Sequence, residues 1–151
     1  MKYLRSILVL LTTAAIIINF SHCGGGGGDD DPKPVESEKE KVTKLMTGSS
    51  WKIQTTTVGG VVHNELFQNF SITFNTTGFS TTNGDPVWPS SGTWSFTDDT
   101  AKAFTRSDGI VVTIEEISES GLVLSLTWTK TTLSGGRENS IAGKNVFSFG
   151  K

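Results

Sequence analysis

A chain of 151 residues with a formal net charge of −2 has room for one ordinary domain and lacks the basic excess that a nucleic-acid surface requires. Its single cysteine rules out an internal disulfide, and its two histidines leave no parts for a His/Cys metal cluster. Beyond the first twenty residues there are no long runs of Ala, Leu, Glu and Lys, and Thr, Ser, Gly and aromatic residues dominate, so strands are expected to outnumber helices.

The N-terminus carries a positive start, Met1 to Arg5, followed by the uncharged and mostly apolar run Ile7 to Phe20. That run is as long as a signal-peptide core and shorter than the roughly 20 apolar residues that cross a bilayer as a helix. Residues 1–22 are therefore expected to be a signal peptide, with an uncleaved anchor as the alternative. Cys23 stands where the apolar run gives way to a polar stretch, and Phe20-Ser21-His22-Cys23 resembles the lipobox of bacterial lipoproteins, with His22 where that family prefers a small residue. The resemblance implies cleavage before Cys23 and lipid attachment to it. A free thiol or an intermolecular bridge is the competing reading of a lone cysteine. Two or three acyl chains, at about 0.8 kcal/mol per buried methylene, would hold the protein on a membrane that it never crosses. Loss of the leader removes Lys2 and Arg5 but no acid, making the mature chain more acidic.

Residues 23–36 include Gly24 to Gly28, Asp29 to Asp31 and Pro32-Lys33-Pro34. With almost nothing apolar to bury, this segment is expected to be a disordered tether spanning about 20 Å. The Gly run lacks the Lys-Ser/Thr of a phosphate loop, and the Asp run lacks the spaced ligands of a calcium loop. Acidic residues after a lipidated cysteine resemble the export signal of surface lipoproteins from Bacteroidota, which implies an outer-membrane, lipid-anchored protein of the cell envelope. The periplasmic and surface faces both remain open.

Residues 37–151 form the expected domain. Ser37 to Met46 predicts one short helix, with Ser37 and Glu40 spaced as a capping box and Val42, Leu45 and Met46 in one apolar stripe; Gly48 stops it. Eight strands are expected after it, at about Trp51–Val58, Phe70–Asn75, Gly78–Thr82, Gly92–Thr97, Ala101–Arg106, Ile110–Ile117, Leu122–Thr132 and Lys144–Phe149. The clearest alternation sets Leu122, Leu124, Leu126 and Trp128 on one face against Val123, Ser125, Thr127 and Thr129 on the other. Short turns such as Asn75-Thr76-Thr77 and Ser107-Asp108-Gly109 favour a meander, hence an up-and-down barrel over a Greek-key sandwich.

Leu-Met-Thr-Gly-Ser-Ser-Trp-Lys-Ile, from Leu45 to Ile53, resembles the entry to the first strand of bacterial lipocalin-like domains, where a Gly precedes a Trp at the barrel floor. Ser91 to Phe96 and Leu122 to Trp128 fall where such domains place a middle and a late strand. The resemblance implies an all-β fold: an eight-stranded antiparallel up-and-down, lipocalin-like barrel with one short N-terminal helix.

Chemistry is poorly advertised. After cleavage His63 is the only histidine, expected in an exposed loop between the first two strands. Asp98-Asp99 fits a turn, and Glu115 and Glu116, as neighbours in a strand, are expected on opposite faces, unable to converge on one substrate bond. No catalytic residue, metal or cofactor is expected, and the chain is read as not an enzyme. Two readings remain. In the first, the barrel holds a small apolar ligand against Trp51, Ile53, Trp94, Phe96, Leu124 and Leu126. In the second, those side chains fill the lumen, and the domain is a ligand-free structural or protein-interaction module of the envelope. Trp88, between Pro86 and Pro89, is expected either at the rim, touching ligand or partner, or packed over the barrel end. The expected partner is the membrane, through the acyl chains; nucleic acid is excluded.

Overall fold

The computed structural model describes residues 35–130 and 141–151. The leader, Cys23 and the tether through residue 34 lie outside the described residues, as do Thr131 and Thr132 at the end of the seventh predicted strand.

Helix α1 spans Glu38–Thr47. Its capping box forms as the spacing predicts: the Ser37 hydroxyl accepts from the Glu40 amide at 3.2 Å, and the Glu40 carboxylate accepts from the Ser37 amide at 2.8 Å. Two of the amides left free by helix geometry are satisfied in this way. Met46, on the inner stripe, is fully buried, which contributes about 1.5–3 kcal/mol toward docking the helix on the barrel. Lys39 also reaches Asp99 at 2.6 Å, but this ion pair is exposed and adds at most about 1 kcal/mol.

The strands are β1 (Ser50–Val58), β2 (Val61–Val62), β3 (Ser71–Phe74), β4 (Gly78–Thr82), β5 (Ser91–Phe96), β6 (Ala103–Arg106), β7 (Val111–Ile117), β8 (Gly121–Trp128) and β9 (Gly143–Gly150). Each pairs antiparallel with its neighbour in the order β2-β1-β3-β4-β5-β6-β7-β8-β9, and β1 also pairs with β9. That last pairing closes β1 and β3 to β9 into an eight-stranded antiparallel barrel with one short helix, compatible with a lipocalin-like fold. Closure removes the unpaired edges that an open sheet would expose.

Strand β2 was not expected. It is a two-residue arm folded back on β1 through Gly59 and Gly60, whose φ angles of 59° and 87° are the left-handed values that a two-residue hairpin turn needs. A 3-10 turn, Asn64–Phe67, follows it. The expected loop around His63 is therefore largely structured.

Inward-facing residues alternate along the strands. Leu122, Leu124, Leu126 and Trp128 of β8 all point in, each 5% exposed or less, as the period of two requires. Two bulges reset that period. In β1 the register with β9 slips between Ile53 and Thr55, so the inward set runs Trp51, Ile53, then Thr56 and Val58. In β7 the slip between Ile114 and Glu116 leaves Glu115 and Glu116 both exposed. The expectation that these two glutamates face opposite sides is thus corrected: an extra residue in one strand breaks strict alternation.

The barrel has two ends. The floor, where β1 begins, is covered by α1, and the Trp51 indole donates its Nε1–H to the Met46 carbonyl at 2.9 Å. The mouth, where β1 ends, is filled by the β4–β5 loop, Asn83 to Ser90, which places Val87 and Trp88 completely out of solvent.

Candidate functional site

The interior of the barrel is the place to look for a ligand, so its contents decide what the domain can hold. Of the six residues named from sequence as ligand-lining, Trp51, Trp94, Leu124 and Leu126 belong to one buried cluster, with Ile53 and Phe96 half-buried against it. They are joined by rings from every side. The Trp94 ring meets Phe96 at 5.0 Å, Phe104 at 5.5 Å and Phe74 at 6.0 Å, each edge-on. Phe147 meets Phe67 at 5.1 Å, Phe70 at 5.7 Å and Trp88 at 6.1 Å, again edge-on. Such edge-to-face pairs add about 0.5–1.5 kcal/mol each beyond burial of their area. The candidate lining residues are thus in contact with the protein's own side chains.

Three further rings complete this packing: Phe67 from the 3-10 turn, which the sequence did not single out, Phe70 from just before β3, and Trp88 from the β4–β5 loop. Trp88 occupies the second of the two positions expected for it: it packs across the barrel end, fully buried, with Phe79 at 5.7 Å and Phe70 at 6.2 Å. The aromatic and valine in Pro86-Val87-Trp88-Pro89 were the available signal, since a loop seldom carries two adjacent apolar residues without burying them.

Arg106 is the second missed residue. It follows Phe104 by two positions in β6 and so points inward, where its side chain is fully buried. Its Nη1–H donates to the Val87 carbonyl at 2.9 Å, its Nε–H to Asp108 Oδ1 at 3.1 Å, and its Nη2–H to Asp108 Oδ2. The guanidinium also lies 4.7 Å from the centre of the Trp88 ring. Burial alone would raise the Asp108 carboxyl, but the hydrogen bonds and charge of Arg106 outweigh it and hold Asp108 below its ordinary value. Arg106 therefore ties the mouth loop to the wall with its charge balanced.

Outside the barrel, β7, β8 and β9 form an open cleft of about 590 Å³, lined by Thr113, Glu115, Ser125, Thr127 and Lys144 among others. Glu115 Oε1 accepts from Ser125 Oγ at 2.6 Å and from Lys144 Nζ at 3.0 Å. The Ser125 hydrogen bond, then the Lys144 hydrogen bond and charge, hold the Glu115 carboxyl below its ordinary value. A carboxylate held ionised by these contacts is a weaker base than a free one. A second open groove of about 500 Å³ runs between α1 and β5, with Trp94 and Phe96 at its base and Lys39 and Lys44 beside it.

His63 meets Glu65 at 2.9 Å, and Asp98 accepts from the amide and hydroxyl of Thr100, the local turn bonding expected of it. Among the described residues no three His, Cys, Asp or Glu side chains gather to hold a metal ion, and no helix is long and apolar enough to cross a membrane. Cys23 lies outside the described residues. No family model matches the chain, and no curated protein does.

Proposed function

We propose that this chain is a lipid-anchored lipoprotein of the bacterial cell envelope, held at the outer membrane by acyl chains on Cys23, whose barrel serves as a structural or protein-interaction module and not as a carrier of bulky apolar molecules. The observation that carries this reading is the occupancy of the interior. Trp51, Phe67, Phe70, Trp88, Phe147 and Phe149 are each at most 2% exposed and pack on one another and their neighbours. A drug-sized ligand requires about 300 Å³ or more, which those rings would have to vacate. The anchor rests on the order of elements in the sequence: positive start, apolar run, cysteine, tether. An exclusively surface role also fits the exposed polar face, where Thr, Ser and charged side chains from β7 to β9 line the larger cleft.

Native mass spectrometry of the protein extracted in detergent from its producing cells tests both halves. The expected mass is that of a chain beginning at Cys23 with acyl groups attached and no non-covalent apolar adduct. A mass that retains residues 1–22 would overturn the anchor. A reproducible apolar adduct would overturn the filled barrel and restore the ligand-carrying reading built on Trp51, Ile53, Trp94, Phe96, Leu124 and Leu126.

A further inference from the structure

On the outside of the barrel, the cleft of about 590 Å³ across β7, β8 and β9 is open to solvent and is built around a bulge. The register of β7 with β8 slips between Ile114 and Glu116, so Glu115 is the extra residue and has no partner across the ladder. Bulges re-aim side chains, and here the Glu115 carboxylate reaches over β8. Its Oε1 accepts from Ser125 Oγ on β8 and from Lys144 Nζ on β9. Ser125 faces outward between Leu124 and Leu126, yet it is only 4% exposed. The carboxylate is thus fixed by a buried hydroxyl on one strand and an ammonium on the next.

The remaining bonding capacity of the cleft is polar and uncharged overall. Glu115 Oε2 has no partner among the described contacts, and Lys144 uses one of its three N–H groups on Glu115. Thr113 and Thr127 are both exposed, and their hydroxyls are unbonded among the described contacts. Glu115 and Lys144 are the charged side chains lining the cleft, and they balance each other. Beside them Val111, 51% exposed, and the half-buried Ile110 add an apolar strip.

We propose that this cleft binds a short neutral oligosaccharide, with Thr113, Glu115, Thr127 and Lys144 meeting its hydroxyl groups and Val111 and Ile110 meeting its C–H surface. A sugar hydroxyl both donates and accepts, so it can satisfy an acceptor-only carboxylate, a donor-only ammonium and two threonine hydroxyls in one site. Hydrogen bonds to the ionised pair are the stronger ones, and Glu115 is already held in place to make them. A charged ligand gains little, because each ion that could attract it is matched by the other. A peptide strand needs a free sheet edge for its N–H and C=O groups, and β7, β8 and β9 are paired on both sides within the barrel. The volume falls within the range of roughly 300–1,000 Å³ usual for small-molecule sites. The site rests neither on the lipid anchor nor on the contents of the lumen.

The test uses the full chain, 15N-labelled, in micelles of dodecylphosphocholine, a detergent without a sugar headgroup. It is titrated separately with maltotriose, cellotriose, mannotriose and tri-N-acetylchitotriose, and with triglycine as the peptide probe. The expected result is that at least one trisaccharide gives saturable movement of the backbone amide signals of Thr113, Ser125, Thr127 and Lys144, while those of Trp51 and Trp94 at the barrel floor stay in place. Glu115→Gln should weaken that binding about tenfold or more, the loss of a hydrogen bond to a charged group. Thr127→Val, which removes an exposed and unbonded hydroxyl at nearly constant shape and so leaves the fold intact, should weaken it about threefold or more. No saturable movement with any of the four trisaccharides overturns the proposal. So does movement confined to other parts of the barrel, binding that Thr127→Val leaves undiminished, or saturation of the same signals by triglycine alone.

Discussion

The guanidinium of Arg106 lies 4.7 Å from the centre of the Trp88 ring, so that a strand residue and a loop residue 18 positions apart close the mouth of the barrel together. The same cation holds the Val87 carbonyl and the Asp108 carboxylate, and the loop has no comparable charged tie elsewhere among the contacts described. Arg106→Ala removes the tie and leaves both partners behind, one of them a buried carbonyl. The expected cost is about 3 kcal/mol, at the lower end for a broken buried pair because Asp108 is partly open to water. Urea unfolding measures it; a change below about 0.5 kcal/mol, the range of an ordinary surface substitution, would show that Arg106 does not hold the loop.

Acid should reveal the same pair. A carboxyl held below its ordinary value stabilises the folded state above the unfolded-state value, near 3.9, and that stabilisation is lost as pH falls through the lower folded value. The urea midpoint of the unmodified chain should therefore decline below about pH 4 more steeply than that of Asp108→Asn, whose side chain does not titrate. Identical acid slopes for the two proteins would remove Asp108 from the account.

Gly84 and Gly150 offer a contrast between two crowded glycines. A Cβ on Gly84 would sit 2.7 Å from Trp88 Cβ and 2.9 Å from Phe70 Cε2, atoms fixed in the mouth packing. A Cβ on Gly150 would meet the far end of the Gln54 side chain, which is exposed and free to swing aside. Gly84→Ala is expected to destabilise by about 1–3 kcal/mol, the range of overpacked cores, and Gly150→Ala by under about 1 kcal/mol. Thermal unfolding of the two variants side by side checks the order, and the reverse order would mean that the loop yields more easily than Gln54.

Helix α1 depends on its N-cap, Ser37. Ser37→Ala removes both hydroxyl contacts of the capping box, with Glu40 and its amide, and should cost about 1 kcal/mol. Ser37→Asp, which keeps an acceptor at the cap, should recover most of it. The loss is read by urea unfolding; equal stability of Ala and Asp variants would argue that the helix is held entirely by Met46.

What was legible in the sequence is local. The capping box of Ser37 and Glu40 announces a helix start because it involves one turn of chain. Leu122 to Trp128 announce a half-buried strand because alternation needs no partner to be read. Strand β4 lies between turn signals strong enough to give its limits, Gly78–Thr82, from composition alone. Even the unexpected hairpin into β2 carried its signal, a Gly-Gly pair flanked by valines at Val58 and Val61.

The sequence by itself determined that the chain is a meander of amphipathic strands following one capped helix, since turn chemistry and a period of two are properties of neighbouring residues. Only the tertiary structure decided where the period breaks, what fills the lumen and which polar atoms are left without partners. A bulge at Glu115 is a mismatch between two strands and has no signature within either one. The burial of Trp88 depends on Phe70, Phe79, Arg106 and Phe147, which come from different parts of the chain. Whether a tryptophan N–H meets a carbonyl, as Trp51 does, or meets none, as Trp88 and Trp128 do, is likewise set by distant backbone.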